Sequence, residues 1–218
     1  MPRAFYFDKY NTAYDWGLVL TAQDLTPPAV KTNYVQLDGM SGSLDLTEAL
    51  TGEVTYEDRI MTASFALTEG DHADRVVLLR TITAALHGRK VRIVTPDDPE
   101  HYLLGRCTVT AVEQYPSYMA LTIEATCDPW RYAVNETTRL VTVTRSAPVD
   151  VVLTNDGSRT VTPVLTVTGS ISVTVNDTTT GLIPGDYKIT DLRLAPGPNV
   201  VSVSGSGTVT FKYREADL

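Results

Sequence analysis

Helical spacing of apolar residues occurs in one segment of the chain, 71-DHADRVVLLRTITAALHG-88. Its apolar residues share one face, as the 3.6-residue period of an α-helix requires. The residues of that face are Val76, Leu79, Ile82 and Leu86. Asp71 is placed to cap the first turn, Asp74 adds a carboxylate near the helix start, and His87-Gly88 supplies a residue free to adopt positive φ. The segment predicts one amphipathic helix over about 71–88.

Alternation of apolar and polar residues flanks this helix, which is the pattern of half-buried strands. Residues 90–94 alternate directly after it, so we expect the helix to pack on the sheet that it feeds. The clearest hairpin joins residues 102–114 to residues 119–126 across Tyr115-Pro116-Ser117-Tyr118. The other predicted strands of the first half are residues 16–20, 33–37, 44–47 and 60–67.

The second half of the chain shows no helical spacing after Leu140. It consists of short Val- and Thr-rich segments at intervals of about ten residues, which is typical of a β-sandwich. Turn signals separate these segments at residues 155–157, 169–170, 180–181, 184–185, 196–199 and 205–207. We therefore predict a mainly β fold with one α-helix, divided into domains at residues 1–134 and 135–218.

Charge and composition exclude several classes of protein. The chain has 218 residues, 43% of them hydrophobic, and a formal charge of −8. Residues 1–137 carry 11 Lys and Arg against 19 Asp and Glu, whereas residues 138–218 carry seven of each. An acidic domain lacks the clustered cations that neutralise phosphates, so we do not expect nucleic-acid binding. The chain opens without the apolar run of a signal peptide and has no window of membrane-spanning length, which predicts a soluble protein with no membrane binding of its own.

Two cysteines, Cys107 and Cys127, fall nearly opposite each other if the hairpin pairs symmetrically about its turn. This geometry permits either a cross-strand disulfide or a pair of reduced thiols. Two cysteines in a chain of this size do not make a disulfide scaffold, so reduced, half-buried thiols are the expected state.

The sequence contains no motif for catalysis, a metal or a cofactor. His72, His87 and His101 lack metal-ligand spacing, and no GxSxG, P-loop or GxGxxG motif occurs. Residues 97–100, Asp-Asp-Pro-Glu, form a carboxylate cluster that we interpret as a solvated loop rather than a calcium or acid–base site. Residues 135–137 and 176–178 match the N-glycosylation pattern, which we attribute to chance. We predict that the protein is not an enzyme and has no catalytic, cofactor or metal site.

Sugar binding by the second domain is an alternative, because β-sandwiches often carry lectin sites. Such sites use an exposed aromatic platform, and the candidates there are Tyr187, Phe211 and Tyr213. Packing in the core or at a sheet edge is the expected role of each. Both tryptophans, Trp16 and Trp130, lie in the first domain.

Three groups of residues together resemble a known family. Residues 35–47, VQLDGMSGSLDLT, followed by Tyr56 and Arg59, resemble the opening of the distal tail proteins (Dit) of long-tailed, non-contractile bacteriophages. Residues 127–132, CDPWRY, resemble that family's first-domain ending, and residues 195–214 resemble its C-terminal close. The resemblance implies an N-terminal, tail-tube-like β-sandwich with one helix and a C-terminal, galectin-like β-sandwich.

The resemblance also implies a function. Distal tail proteins close six copies into a ring hub that joins the tail tube to the baseplate or tail tip and its receptor-binding proteins, and that lets DNA pass. The implied partners are further copies of this chain, a tail-tube protein, and a tail-tip hub or tail-fibre protein. The implied location is the virion tail tip, assembled in the cytoplasm of a bacterial host and used in host attachment. The alternatives are a carbohydrate-binding adhesion module of the tail tip and a subunit of the tail tube.

Two polar, glycine-bearing segments between strands, residues 38–43 and 51–59, are candidates for contacts within such a ring. Ordinary mobile surface loops are the equally open alternative. The candidate interface residues are Asp38, Gly39, Met40, Ser41, Gly42, Tyr56 and Arg59. If the acidic residues of the first half line the channel of the ring, they are expected to keep DNA from adhering to it.

Overall fold

The computed structural model describes residues 3–144, 147–176 and 178–218. The chain forms two compact units, the first ending at Arg131 and the second beginning at Tyr132. Strands dominate both units, and the described residues contain one helix. The predicted fold class, mainly β with one α-helix, is confirmed. Asp177 of the second glycosylation triplet, and the first two residues of the segment searched for a signal peptide, lie outside the described residues.

The first unit is built on one antiparallel sheet. Its elements are β1 (Tyr6–Phe7), β2 (Tyr10–Asn11), β3 (Leu18–Leu25), β4 (Tyr34–Val35), β5 (Leu44–Asp45), β6 (Arg59–Leu67), α1 (His72–Leu86), β7 (Lys90–Thr95), β8 (Asp98–Gln114) and β9 (Met119–Ala133). The main sheet has the order β2-β1-β7-β8-β9-β6-β3, while β4 and β5 form a separate two-stranded sheet. The sheet curls, because the ring of Phe5, next to β1, packs against the ring of Phe65 on β6 at 5.9 Å between centroids.

The helix α1 begins and ends as its sequence predicts. Asp71 and Asp74 form a capping box, in which each side chain accepts a hydrogen bond from the other residue's backbone N–H at 2.9 and 3.2 Å. Gly88 adopts φ +77° just after the helix, in the left-handed region that a side chain disfavours. Ile82 and Leu86 are buried in the core, as predicted.

Strict alternation on β6 and β9 builds the core of the first unit. The two strands pair in register from Arg59 opposite Cys127 to Leu67 opposite Met119. Every second residue points inward and is buried. The buried residues of these strands include Met61, Ala63, Phe65, Leu67, Met119, Leu121, Ile123 and Ala125. The predicted hairpin is also confirmed, since β8 and β9 neighbour each other and Tyr115 N–H bonds the Tyr118 carbonyl at 2.9 Å.

Both cysteines of that hairpin are free, buried thiols. Gly105 makes room for one of them, because a Cβ at that position would lie 2.4 Å from the Cys127 sulfur. Burial raises the pKa of both thiols to about 12, and repulsion between the two thiolates adds to the effect at Cys107. The two side chains therefore behave as small apolar residues of the core.

The second unit contains a six-stranded antiparallel sheet and has its own core. Its elements are β10 (Thr137–Val143), β11 (Val149–Asn155), β12 (Val164–Val175), β13 (Thr178–Leu182), β14 (Gly185–Tyr187), β15 (Gly197–Tyr213) and the short β16 (Ala216–Asp217). The sheet has the order β10-β15-β12-β13, with β11 also on β15 and β14 also on β12. The first half of β15 pairs with β11 and the second half with β10, so this strand serves two parts of the sheet.

The prediction of turns was wrong at four glycines of this unit, which lie inside strands. Residues 169–170 and 205–207 were predicted to end strands, whereas they lie inside β12 and β15, where Gly169 faces Gly207 and Ile171 faces Gly205. Gly169 and Gly207 have φ of +84° and +148°, and a Cβ on Gly207 would lie 1.9 Å from the Thr168 carbonyl oxygen. A glycine in a strand interior marks a bend or a close backbone approach, and here the two backbones approach closely. The predicted break at residues 180–181 is likewise absent, because both residues belong to β13.

Within the described residues, no helix is long and apolar enough to cross a membrane.

Candidate assembly surfaces

The connection between β3 and β6 forms a hairpin arm, defined here as residues 30–56. Val30 and Tyr56 pair at its base, and the β4–β5 pairs Tyr34–Asp45 and Val35–Leu44 hold its middle. Backbone bonds from Lys31 N–H to the Thr55 carbonyl, 2.9 Å, and from Leu46 N–H to the Asn33 carbonyl, 2.8 Å, complete it. All of these bonds are internal to the arm, so its shape comes from its own backbone pairing.

The arm exposes several large apolar side chains to solvent. Residues 38–42, the tip predicted to contact a neighbour, are all exposed, and Gly39 and Gly42 turn the chain there with φ of +85° and +86°. Leu50 is 95% exposed and Tyr34 60%. Further exposed apolar residues of the arm are Val30, Leu37, Met40 and Leu44. The exposure of several large apolar side chains makes the arm a candidate interaction surface.

The base of the arm contains the two remaining predicted interface residues. Tyr56 packs edge-to-face on Trp130, with ring centroids 5.6 Å apart. Arg59 is 3% exposed, and among the described residues its Nε and Nη2 have no hydrogen-bond partner. Burial, and repulsion from Arg131, lower the pKa of its guanidinium. The structure thus places residues 38–42 on the exposed tip, Tyr56 at the base and Arg59 inside; their role at an interface stays a prediction.

A second feature of the first unit is a basic cleft of about 670 Å³ near the C-terminal end of α1. Lys9, Arg89, Lys90 and Arg106 supply its positive charge, opposed by Asp8. Its apolar wall consists of the partly exposed Tyr10 and Ala85, which lie over the buried Phe7, Leu86 and Val91. Four cations in one cleft are notable in a unit whose sequence is acidic.

The strand register assembles this cleft. Lys90 on β7 lies directly opposite Arg106 on β8, and two like charges at facing positions destabilise a sheet. Lys90 Nζ binds the Asp128 carboxylate at 2.8 Å, Arg106 Nη1 donates to the Gly88 carbonyl at 2.6 Å, and the ammonium of Lys9 lies 5.1 Å from the centre of the Tyr10 ring. The cleft is not evident from the sequence, because Lys9 and Arg106 are distant from the adjacent Arg89 and Lys90. The register is the signal that could have found it.

The carboxylate cluster at residues 97–100 is more ordered than the predicted solvated loop. Asp98 begins β8, where its two oxygens lie 2.8 Å from His101 Nδ1 and 3.6 Å from Arg131 Nη1. The Asp97 carboxylate accepts hydrogen bonds from Arg3 and Gln23. All of these groups except Arg3 line a cavity of about 180 Å³. Within residues 3–144, 147–176 and 178–218, no three His, Cys, Asp or Glu side chains are grouped to hold a metal ion.

The aromatic residues considered for sugar binding are mostly buried. Phe211 and Tyr213 belong to the core of the second unit, and the Tyr213 hydroxyl donates to the Thr154 carbonyl at 2.6 Å. Tyr187 is partly buried and donates to the Ile183 carbonyl at 2.9 Å. Trp16 is buried in the first unit and stacks on Tyr10. Phe211, Tyr213 and Trp16 therefore do not form an exposed platform.

Comparison with known proteins gives a match by structure. The sequence matches no protein-family model and no curated protein. Among solved structures, the chain is similar to the crystal structure of the Dit protein (gp 19.1) of SPP1, described as a paradigm of the hub adsorption apparatus in phages that infect Gram-positive bacteria. The two chains are 15% identical, the TM-score is 0.69, and the match covers 97% of this chain and 98% of that chain. Over nearly its whole length, the chain therefore has the fold of the SPP1 Dit protein.

Proposed function

We propose that the chain is a structural distal tail protein, a hub that joins a phage tail tube to the tail tip. The observation that carries this proposal is the fold match, which extends over both units and almost the full length of a protein described as a hub adsorption apparatus. A tail-tube subunit or an adhesion module accounts less well for that match, because the match includes both units of the chain. In this role the protein is not an enzyme and acts through the contacts it makes.

The hub is a ring of six copies. A ring closes when each copy presents two different surfaces that fit each other head to tail. The exposed arm supplies one surface, with residues 38–42 at its tip and Tyr56 at its base. Arg59, buried with unpaired donors, is suited to receive an acceptor group brought by a neighbouring subunit, since buried donors left without a partner are costly.

The partners follow from the same role. A tail-tube protein meets one face of the ring, and a tail-tip hub or tail-fibre protein meets the other. Residues 1–134 form the ring and residues 135–218 form an outer β-sandwich of galectin-like type. The ring is assembled in the bacterial cytoplasm and remains at the virion tail tip during host attachment.

DNA passes through the ring without binding to it. Each chain carries a formal charge of −8, so six copies carry about −48, and the excess acidity lies in residues 1–137. A channel lined by acidic residues repels a polyanion at close range. A ring structure with a neutral or basic channel would contradict this part of the proposal.

The proposal is tested first by the native mass of the purified chain. Light scattering is expected to give about 143 kDa, six copies of the 23.8 kDa chain, or a stacked multiple, and negative-stain images should show a central hole. Gold-labelled antibody against the chain is then applied to virions. Label at the distal tail end supports the hub. Label along the whole tube indicates a tube subunit, and no label on the tail overturns the proposal.

A further inference from the structure

One turn of the arm presents an isolated apolar side chain between two acidic ones. We name residues 46–54 the Leu50 turn. Ala49 N–H bonds the Leu46 carbonyl at 3.1 Å and Gly52 N–H bonds the Glu48 carbonyl at 2.8 Å, which closes the turn and directs Leu50 outward. Leu50 is 95% exposed, and Glu48 and Glu53 on either side of it are exposed as well.

The centre of this turn, residues 48–53, is exposed among the described residues. Among the described residues, every hydrogen bond that residues 46–54 make goes to another residue of the arm. An apolar side chain this exposed adds nothing to the packing of its own fold. The arm as a whole is acidic, with Asp38, Asp45, Glu48 and Glu53 against Lys31.

The basic cleft has the complementary properties. Lys9, Arg89, Lys90 and Arg106 line it against Asp8, with Lys90 also paired to Asp128, and the accessible part of its apolar wall is Tyr10 and Ala85. Its volume of about 670 Å³ suits a few residues of a partner chain. Arg89 and Arg106 are exposed at the cleft, where they can meet carboxylates.

We propose that the Leu50 turn of one copy docks into the basic cleft of a second copy. Leu50 contacts the apolar wall, and Glu48 and Glu53 pair with Arg89 and Arg106. The turn and the cleft are different surfaces, so each docked copy leaves one of each free and the contact repeats until a ring closes. This inference rests on the proposed function for its occupant, a second copy, and the charge complementarity of the two surfaces supports that choice.

The first test removes the apolar anchor. Leu50→Ser is compared with the wild type and with Ile183→Ser, a control at a residue of the second unit that is 70% exposed. Light scattering is run over a concentration series. We expect Leu50→Ser to stay at the mass of one chain where the wild type and the control assemble. Its melting temperature should equal that of the wild type, because the side chain is solvent-exposed in the single chain.

The second test exchanges charges. Arg89→Glu/Arg106→Glu should abolish assembly, and adding Glu48→Arg/Glu53→Arg to the same chain should restore it. Arg80→Glu/Arg139→Glu, which changes the net charge equally at exposed positions elsewhere, should assemble normally. A mixture of the Leu50→Ser variant with the Arg89→Glu/Arg106→Glu variant retains one working contact per pair. It should therefore give a dimer of about 48 kDa, twice 23.8 kDa, and nothing larger.

The outcomes separate this inference from the proposed function. If the wild type forms rings and Leu50→Ser forms them equally well, or if the exchanged charges fail to restore assembly, the docking is wrong and the hub stands. If the wild type is a single chain at every concentration, the docking is also wrong, because the two surfaces then do not bind. The hub is judged separately by the antibody label at the distal tail end.

Discussion

Arg75 lies on the face of α1 that the helical period shares with Leu79, Ile82 and Leu86, where an apolar residue is expected. It is buried, and its guanidinium donates from Nη1 to the Ser117 carbonyl and from Nη2 to the Pro116 carbonyl, both at 3.0 Å. The charged group thereby fastens α1 to the turn between β8 and β9, while its stem packs against apolar neighbours. Hydropathy alone misses this role, because it counts arginine as polar wherever it falls.

Replacing this residue tests the contact. Arg75→Ala should lower the free energy of unfolding by about 1–3 kcal/mol, the usual range for hydrogen bonds made by a charged donor. Arg80→Ala, at an exposed position of the same helix, should change it by less than about 0.5 kcal/mol. Urea titrations of the three proteins measure the difference. Equal losses of unfolding free energy in the two variants would mean that the hydrogen bonds of Arg75 do not stabilise the fold.

The raised pKa values of the Cys107 and Cys127 thiols make the free energy of unfolding depend on pH in the alkaline range. Each pKa is about 12 in the folded chain against an ordinary value of 9.0, because burial disfavours the thiolate. A raised pKa means that the folded state keeps its proton longer than the unfolded state. The contribution of each thiol is therefore complete below pH 9 and is lost as the pH rises from 9 towards 12, by about 1.4 kcal/mol per pH unit.

The variant Cys107→Ala isolates this effect from other alkaline titrations. Its free energy of unfolding should fall less steeply between pH 9 and 11 than that of the wild type, since one of the two thiols is gone. Denaturant titrations across that range supply the slopes. Parallel slopes would show that Cys107 ionises as easily in the folded chain as in the unfolded one.

In native buffer at pH 8, neither thiol should react with a thiol reagent, and both should react after unfolding.

At the scale of elements, the close pairing of β12 and β15 depends on glycine. Gly207 has φ +148° and lies so close to Thr168 that a Cβ would come within 1.9 Å of its carbonyl oxygen. Gly207→Ala should therefore cost about 2–4 kcal/mol through strain and displaced pairing. Gly181→Ala is the matched control in the same sheet, because no atom lies within 4 Å of the added Cβ. Thermal and urea unfolding of both variants provide the comparison, and equal stability would remove the proposed strain.

Short-range patterns in the sequence correctly predicted the elements that depend on neighbouring residues. The capping residues of α1, the alternation of β6 and the turn between β8 and β9 are all short-range features, and the structure has each of them. The glycines of β12 and β15 were assigned to turns because glycine signals both a turn and a bend. Which of the two it marks depends on the strand that pairs across it, and pairing is not visible in one segment of sequence.

The candidate surfaces show the same division between local and long-range information. The exposed tip at residues 38–42 follows from turn chemistry, which is local. The basic cleft does not, because Lys9, Arg89 and Arg106 meet only through tertiary structure. Arg59 was predicted as polar and accessible, yet it begins an inward-alternating strand and is buried. Its burial depends on the register with β9, where it faces Cys127.

At the scale of the whole molecule, the two units differ in charge and share a mainly β architecture. The excess acidity lies in the half that contains the arm and the cleft, while the second half is neutral. Charge that serves steering and assembly is therefore confined to the unit proposed to form the ring. The second unit has its own buried core, which includes Leu165, Val203 and Phe211. A unit with its own core is expected to fold alone.

Where the second unit begins can be measured with two fragments, residues 132–218 and residues 135–218. Two of the three residues that distinguish them are bonded to Arg214 or Glu215. The Ala133 N–H donates to the Glu215 carbonyl at 3.0 Å, and Arg214 Nη1 donates to the Ala133 carbonyl and, at 2.7 Å, to the Val134 carbonyl. Both fragments should unfold cooperatively, and the longer one should be more stable by about 1–3 kcal/mol, because the shorter one leaves the Arg214 guanidinium without these acceptors. Equal stability in urea would place the boundary at residue 135, as the sequence predicts. Failure of both fragments to fold would mean that the core of residues 132–218 needs the rest of the chain.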